Sequence, residues 1–233
     1  MNEQTGNRRQ RVRENTVNEI LTVARQLLAD GGPEAVSNTA IARAMGMTTP
    51  ALYRYYTNHQ QLVGALTTRL YQELTDKVAA ARATAPTANP AGPLLAMCRA
   101  MRAWALHFPV EFCFLFTNRS LATLDDAAEA GTAFGDAFLE ELASIWNHSP
   151  FPVRALATLP PGLADQMEAY SKRIGNRLPA GGIYIFLNAW TRLYGVLSME
   201  VLHQLEFALD DVGPFFEGQL QDICDVLDVR YET

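Results

Sequence analysis

The stretch from Ser37 to Leu62 constrains the fold more than any other part of this sequence. Two short helices crossing at a steep angle would bury five of its apolar residues together; these are Ile41, Ala42, Met45, Met47 and Leu52. Gly46 falls where the chain must turn sharply between the two helices, and a residue without a Cβ tolerates such a turn. Ser37 suits the N-cap of a first helix that opens near Asn38. The stretch therefore predicts a helix-turn-helix.

The second helix of this motif carries small and hydrogen-bonding side chains. Groups of this kind approach base edges and phosphates in nucleic-acid complexes. The candidates are Thr48, Thr49, Pro50, Ala51, Tyr53 and Tyr55. We interpret this segment as a DNA-reading helix.

The charge distribution is compatible with a DNA partner although the chain as a whole is acidic. The 233 residues carry a formal net charge of −6, and 48% of them are hydrophobic, which suits a folded protein with a substantial core. Residues 1–60 hold seven arginines and five acidic residues, so their net charge is +2 and that of the remainder is −8. A mildly basic N-terminal part on an acidic body is typical of a protein with one dedicated DNA face.

The N-terminal part opens with four arginines at positions 8, 9, 11 and 13, before any apolar periodicity. The pattern predicts a mobile basic arm that follows phosphates or enters a minor groove, and a solvated tail is the alternative. From Val17 the apolar spacing becomes helical, and Gly31, Gly32 and Pro33 are expected to end that helix. It would support the two helices of the motif.

A long connecting helix is predicted from about residue 59 to 82. Asn58 with Gln61 resembles a capping box at its start. One leucine-rich stripe then runs along it, formed by Leu62, Leu66, Leu70, Leu74 and Val78. Residues 83–93 are rich in proline and alanine and mark the clearest internal boundary. We expect a DNA-binding domain over residues 1–60, followed by a helical body over residues 61–233.

The remaining sequence reads as a helical bundle. Helices are expected for residues 94–108, Leu124 to Ile145, Leu163 to Arg177, Gly182 to Leu205 and Asp211 to Val229. The proline-rich residues 147–162 predict a loop, with room for one helical turn. Since no alternating strand pattern or internal repeat is present, the fold class is all-α.

Residues 36–62 resemble the N-terminal DNA-binding domain of the TetR family of transcriptional regulators. The matching features are Ile41-Ala42, Ala44 to Met47, Leu52 to Tyr56 and the helix start at Asn58 to Leu62. The resemblance implies family DNA contacts at Asn38, Thr39 and His59 in addition to the reading helix. Thr39 and His59 replace an arginine and a lysine that are common in the family. Phosphate affinity is therefore expected either to be lower or to depend more on the basic arm.

The same resemblance implies a homodimer on a pseudo-palindromic double-stranded DNA operator. The last two helices of each subunit would form a four-helix interface. Its expected residues are Phe186, Trp190, Leu197, Val201, Phe216, Leu220 and Ile223.

The family also senses small molecules in its helical body, which implies a lipophilic or aromatic effector here. A bundle rich in aromatic residues can enclose an apolar pocket beside a few polar groups. The candidates are Trp104, His107, Phe112, Phe116, Phe134, Phe138, Asn188 and Arg192. For each aromatic residue, ordinary core packing is the alternative.

Other functions find less support in the sequence. The histidines at 59, 107, 148 and 203 belong to no HExxH motif, and neither a Gly-x-Ser-x-Gly elbow nor a phosphate-binding glycine loop is present. Cys98, Cys113 and Cys224 show no metal-binding or disulfide spacing. We therefore expect no catalytic residue, cofactor or metal. With no signal peptide or membrane span, a cytoplasmic, nucleoid-associated protein is expected. A helical interaction or scaffold protein without DNA binding stays open.

Overall fold

The computed structural model describes residues 2–86, 88–117 and 125–232, and all regular structure in these ranges is helical. The prediction of an all-α fold is confirmed. None of the helices described is both long and apolar enough to span a bilayer. In chain order they are α1 (Asn2–Gly31), α2 (Asn38–Ala44), α3 (Thr49–Leu52), α4 (His59–Thr84), α5 (Gly92–His107), α6 (Pro109–Thr117), α7 (Asp125–His148), α8 (Leu163–Arg173), α9 (Ala180–Val201) and α10 (Gly213–Val226).

The predicted helix-turn-helix is formed by α2 and α3. The Ser37 hydroxyl caps α2 by accepting a hydrogen bond from the backbone N–H of Ala40 at 3.2 Å. Gly46 has a φ of +64°, the left-handed conformation that the sharp turn requires. Thr48 is extended, and Pro50 lies in the first turn of α3, where its missing N–H is not needed. Local sequence signals therefore specify this motif.

We expect Ser37→Ala to lower the free energy of unfolding by about 1 kcal/mol, because α2 loses its side-chain cap. Urea denaturation followed by circular dichroism measures the change. Thr132→Ala is the control, since Thr132 lies inside α7, where its hydroxyl donates to the carbonyl of Ala128 and caps no helix end. A Ser37→Ala protein that unfolds at the parent's urea concentration would show that the cap is not stabilising.

The predicted basic arm is helical in this structure, and its mobility stays a prediction. Residues 8–13 belong to α1, which runs without a break from Asn2 to Gly31. No proline interrupts this segment, and a side-chain pair one turn apart supports it, since Gln10 Nε2 donates to Glu14 Oε1 at 3.1 Å. The helix ends as expected at Gly31, and Gly32 follows it with a φ of +72°. The arginines therefore have a fixed helical spacing.

The connecting helix α4 begins one residue after its predicted cap. Asn58 Oδ1 accepts from the backbone N–H of Gln61 at 2.9 Å. The Gln61 side chain reaches back to the N–H and hydroxyl of Thr57, at 3.0 and 2.9 Å, rather than to Asn58 itself. All five residues of the predicted stripe are completely buried, which confirms this face: Leu62, Leu66, Leu70, Leu74 and Val78.

The chain divides into two compact units. Unit 1 comprises Met1–Glu73 and Phe108–Thr132. Within it, α1 contacts α2 and α6, and α2 contacts α3. Ile20, Leu28, Ile41 and Leu52 are fully buried there, whereas Met45 and Met47 are only half-buried. The predicted functional boundary at residue 60 stays a prediction.

Unit 2 comprises Leu74–His107 and Ala133–Thr233, and α9 is its central helix, in contact with α5, α8 and α10. The loop after α7 contains one turn of 3₁₀-helix, Leu156–Thr158, as expected. The predicted ends of α8, α9 and α10 are too late because left-handed residues stop the helices earlier. Gly175 and Asn176 follow α8 with φ of +71° and +56°, His203 follows α9 with +56°, and Asp228 follows α10 with +50°. The predicted α7 start at Leu124 lies outside the described residues.

Candidate nucleic-acid interface

The outer face of the helix-turn-helix presents most of the predicted DNA contacts to solvent. Leu52 is completely buried beneath it and holds α3 in place. Thr39, Thr48, Pro50, Tyr53 and His59 are exposed, Tyr53 at 46%, while Thr49, Ala51 and Tyr55 are half-buried. Eight of the nine candidates therefore have a surface that can meet DNA, and their individual contacts stay predictions.

Asn38 is the ninth candidate and differs from the others. Its side chain is only 6% exposed, and neither Nδ2 nor Oδ1 has a hydrogen-bond partner among the described residues. The residue is the first of α2, directly after the Ser37 cap. The amide is therefore covered in this conformation, and a contact of Asn38 with DNA stays a prediction.

Three arginines extend the positive surface around the reading helix. The Arg13 guanidinium lies 5.4 Å from the centre of the Tyr55 ring, so α1 brings part of the predicted arm next to a predicted contact. Arg43 and Arg54 are exposed, and within the described ranges neither has an ion-pair partner. Arg43 and Arg54 are not among the DNA contacts predicted from the sequence. Their position within the helix-turn-helix segment is the signal that could have identified them as phosphate ligands.

Tyr56 and Arg69 lie beneath this surface and support it. Tyr56, next to the predicted contact Tyr55, is buried, which raises the pKa of its phenol, although the charge of Arg69 partly opposes that rise. Arg69 in turn donates from Nη1 to the backbone carbonyl of Asn18 at 3.1 Å and so ties α4 to α1. The tyrosine stays neutral at physiological pH.

A buried ion cluster fixes α1 against α4 and α6 within unit 1. Arg25 of α1 donates from Nη1 to Glu73 Oε2 at 2.5 Å and from Nε to Glu111 Oε1 at 3.0 Å. Its guanidinium also lies 4.3 Å from the Phe108 ring centre. Burial opposes the charged form of Arg25, but the two glutamates outweigh it and raise the pKa. These partners lie 48 and 86 residues away in sequence.

An aromatic cluster in unit 2 surrounds a small apolar cavity. The Trp190 ring lies 5.2 Å from Phe138, 5.9 Å from both Phe134 and Phe186, and 4.7 Å from Tyr194. The free volume is about 20 Å³, room for about one water molecule. Burial raises the pKa of one lining thiol, Cys98, to about 12. The lining comprises Leu94, Cys98, Phe138, Leu142, Phe186, Ala189, Trp190, Leu193 and Ile223.

The predicted effector residues are divided between the two units. Phe138 lines the cavity, and the ring centre of Phe134 lies 5.4 Å from that of Phe138. Trp104 is buried in unit 2 but does not line the cavity, and His107 is exposed. Phe112 and Phe116 belong to unit 1, where their ring centres are 4.7 Å apart.

Asn188 and Arg192 lie on the exposed face of α9, away from the cavity lining. There Asn188 Nδ2 donates to the carbonyl of Tyr184 at 2.7 Å, and Arg192 pairs with Asp222 at 2.5 Å. Helical periodicity identified the apolar residues of α9 but not the helices that cover them.

The predicted dimer residues point mainly into the chain's own core. All but the half-buried Trp190 are at most 8% exposed: Phe186, Leu197, Val201, Phe216, Leu220 and Ile223. Side chains already covered within one subunit have little area left to bury against a second. The exposed large apolar residues of α9, α10 and the segment between them are instead Leu187, Met199, Leu202, Phe207, Phe215 and Val226. Gly195 and Gly218 have open space where a Cβ would be.

Comparisons with known proteins agree with this architecture. Residues 20–66 match the family model for bacterial regulatory proteins of the tetR family, and residues 94–223 match that for the tetracyclin repressor-like C-terminal domain. Two HTH-type transcriptional regulators, Mb1846 of Mycobacterium bovis and Rv1816 of Mycobacterium tuberculosis, are each 26% identical, with 94% of this chain and 95% of theirs aligned.

Solved structures share the fold over nearly the whole chain. The crystal structure of the regulatory protein SCO4313 is 29% identical with a TM-score of 0.69, covering 93% of this chain and 98% of that one. RolR in complex with resorcinol superposes with a TM-score of 0.57 over 96% of this chain and 98% of that one. Its identity is 14%, so it shows a common fold only.

Proposed function

Because the chain belongs to the TetR family of bacterial regulatory proteins, we propose that this DNA-binding transcriptional regulator is a repressor. It binds a pseudo-palindromic operator as a homodimer, and a small lipophilic or aromatic effector releases it. It acts in the cytoplasm, at the nucleoid, and performs no catalysis. The observation that carries the proposal is the exposed face of α3, held by the buried Leu52 and flanked by unpaired arginines within the described chain.

Recognition divides between base reading and phosphate binding. Thr49, Pro50 and Ala51, in the first turn of α3, meet base edges, where Pro50 offers apolar contact to a thymine methyl. Tyr53, Arg43 and Arg54 meet phosphates. Because the phosphate contacts release counterions, operator affinity falls steeply with salt.

The dimer forms through the outer faces of α9 and α10. Their exposed apolar residues, with the open positions at Gly195 and Gly218, allow close approach of a second copy around a two-fold axis. An isologous interface of this kind places two reading helices about 34–36 Å apart, or further when the half-sites are separated.

The effector occupies the cavity beside Trp190, which expands to admit it. About 20 Å³ is far below the volume of a drug-sized ligand, so binding requires the surrounding aromatic side chains to repack. The ligand lowers operator affinity only as far as it binds the expanded, DNA-free state more tightly than the DNA-bound one.

Selection of bound fragments from a random DNA pool tests the central proposal. We expect an enriched pseudo-palindrome whose half-site spacing reports the dimer geometry. Failure to retain any fragment at low salt would favour the rival function, a helical interaction or scaffold protein.

We expect Tyr53→Phe and Thr49→Ala each to weaken operator binding by about 1–3 kcal/mol, because each removes one contact from the DNA surface. Fluorescence anisotropy with the selected operator measures the loss. Tyr170→Phe and Thr132→Ala are the matched controls, since both residues lie on helices outside the motif. Equal affinities for all four variants would place the reading surface elsewhere.

A further inference from the structure

A second, larger concavity lies in unit 2, away from the aromatic cluster. It is lined by the last turns of α4 and α7 and by residues 88–93, which lead into α5. Its volume of about 530 Å³ falls within the range of about 300–1,000 Å³ found for small-molecule sites. Its polar lining comprises Arg82, Asn89, Glu141, Ser144 and His148. We call it the α4–α7 groove.

Arg82 lies in this groove and has hydrogen-bond donors that are not paired within the described residues. Arg82 Nε donates to Glu141 Oε2 at 2.5 Å. The Glu141 side chain is only 5% exposed, whereas that of Arg82 is 49% exposed. Neither terminal amino group of Arg82 has a hydrogen-bond partner in the described parts of the chain. The glutamate thus orients the guanidinium and leaves its outer N–H groups available.

Arg25 binds a buried glutamate in the same way as Arg82, but its two terminal nitrogens also bind a second carboxylate. Its Nε also bonds a glutamate that is 5% exposed, Glu111, at 3.0 Å. Its terminal nitrogens Nη1 and Nη2 hold both oxygens of a second carboxylate, that of Glu73, at 2.5 and 3.3 Å. At Arg82 no protein carboxylate within the described ranges takes that second place.

The other lining residues of the groove offer further polar groups and an apolar surface. Ser144 and His148 follow Glu141 by three and seven residues, so they lie on the same face of α7 and add a hydroxyl and an imidazole. Pro90, Pro93 and Ile145 contribute apolar wall, together with alanines of α4.

The wall that carries Pro90 is held in place. Asn89 is 5% exposed, accepts from the N–H of Ala91 at 3.0 Å and donates to the carbonyl of Arg230 at 2.7 Å. A groove with a fixed wall loses little conformational entropy when a ligand binds.

We propose that the α4–α7 groove is a binding site for a small organic monocarboxylate with an apolar body. The carboxylate accepts two parallel hydrogen bonds from Nη1 and Nη2 of Arg82. Ser144 and His148 donate to it or to a neighbouring polar group, and the apolar body lies against Pro90, Pro93 and Ile145. This site is separate from the cavity beside Trp190, with which it shares no lining residue.

Isothermal titration of the full-length protein with benzoate and with benzamide tests the proposal. We expect saturable benzoate binding with a Kd of about 1 mM or tighter, and binding of the neutral amide at least about tenfold weaker. The two ligands have the same ring, so their difference reports the carboxylate. TROSY spectra should show the benzoate-induced shifts concentrated at Ala88, Asn89, Ser144 and His148.

Two variants place the interaction on Arg82. Arg82→Gln combined with Glu141→Gln removes the ion pair without leaving a buried charge, and we expect it to abolish the preference for benzoate. Arg102→Gln combined with Glu200→Gln is the matched control, because this pair has the same 2.5 Å separation and lies outside the groove. If the first double variant does not fold, Arg82→Lys is the substitute. It keeps the positive charge but lacks the two parallel N–H donors of a guanidinium, and we expect it to weaken benzoate binding about tenfold.

Three results would overturn the proposal. The first is absence of saturable benzoate binding, and the second is equal affinity for benzoate and benzamide. The third is benzoate binding that persists in the Arg82 variants or shifts only residues around Trp190.

Discussion

Replacing Arg25 by alanine is expected to lower the free energy of unfolding by about 3–5 kcal/mol. The change leaves Glu111, whose side chain is 5% exposed, without its cation, and Glu73 loses the same partner. A buried carboxylate without a counter-charge is far more costly than the pair was stabilising. The stacking of the guanidinium on Phe108 is lost as well.

Urea denaturation of the variant and the parent measures this effect. Arg192→Ala is the contrast, because the Arg192–Asp222 pair has side chains 40% and 56% exposed and should contribute only about 0–1 kcal/mol. A third variant, Arg25→Met with Glu111→Leu, removes both buried charges and should recover much of the lost stability. If Arg25→Ala costs no more than Arg192→Ala, the cluster is not a structural support of α1.

Replacing Trp190 by alanine is expected to lower the free energy of unfolding by about 3–5 kcal/mol and to create a binding cavity. The indole ring packs against Phe134, Phe138, Phe186 and Tyr194, so its removal enlarges the existing free volume inside an aromatic shell. Free indole fits the vacated volume and stabilises the folded state by mass action. Its addition should therefore raise the Tm of the variant more than that of the parent.

Differential scanning fluorimetry with and without indole measures this rescue. Trp146→Ala is the matched control, since Trp146 is half-buried and packs edge-on to Phe151 at 4.9 Å, away from the cavity. An indole response in Trp146→Ala equal to that in Trp190→Ala would indicate unspecific binding. No response in Trp190→Ala would mean that the shell collapses and offers no aromatic site.

Elements with strong local signals could be predicted from the sequence. The cap at Ser37, the left-handed Gly46 and the stripe that begins at Leu62 depend on neighbours within a few residues, and the structure contains each of them. The helix over the basic arm could not be predicted from apolar periodicity, because residues 8–13 have none. Charged and polar residues with good helix propensity extend α1 instead.

The remaining differences concern contacts between distant segments. Periodicity showed that Phe186, Leu197 and Phe216 lie on apolar helix faces, but it cannot distinguish a face covered by the same chain from one covered by a partner. The ion cluster at Arg25 and the groove at Arg82 join residues 48 to 86 positions apart and leave no local signature. The buried amide of Asn38 was equally unpredictable, since its cover comes from tertiary packing.

The inward orientation of the apolar residues in α9 and α10 has a thermodynamic consequence. Leu197, Phe216 and Leu220 are at most 1% exposed within a single chain, so the core of unit 2 is complete before any second copy binds. In a dimer of this protein, dissociation and unfolding are then separate equilibria, unlike those of an obligate dimer without a folded monomer. Because only folded subunits dimerise, the midpoint of unfolding would still rise with protein concentration by mass action. Dilution would yield folded monomers, and subunits of different dimers could exchange without unfolding.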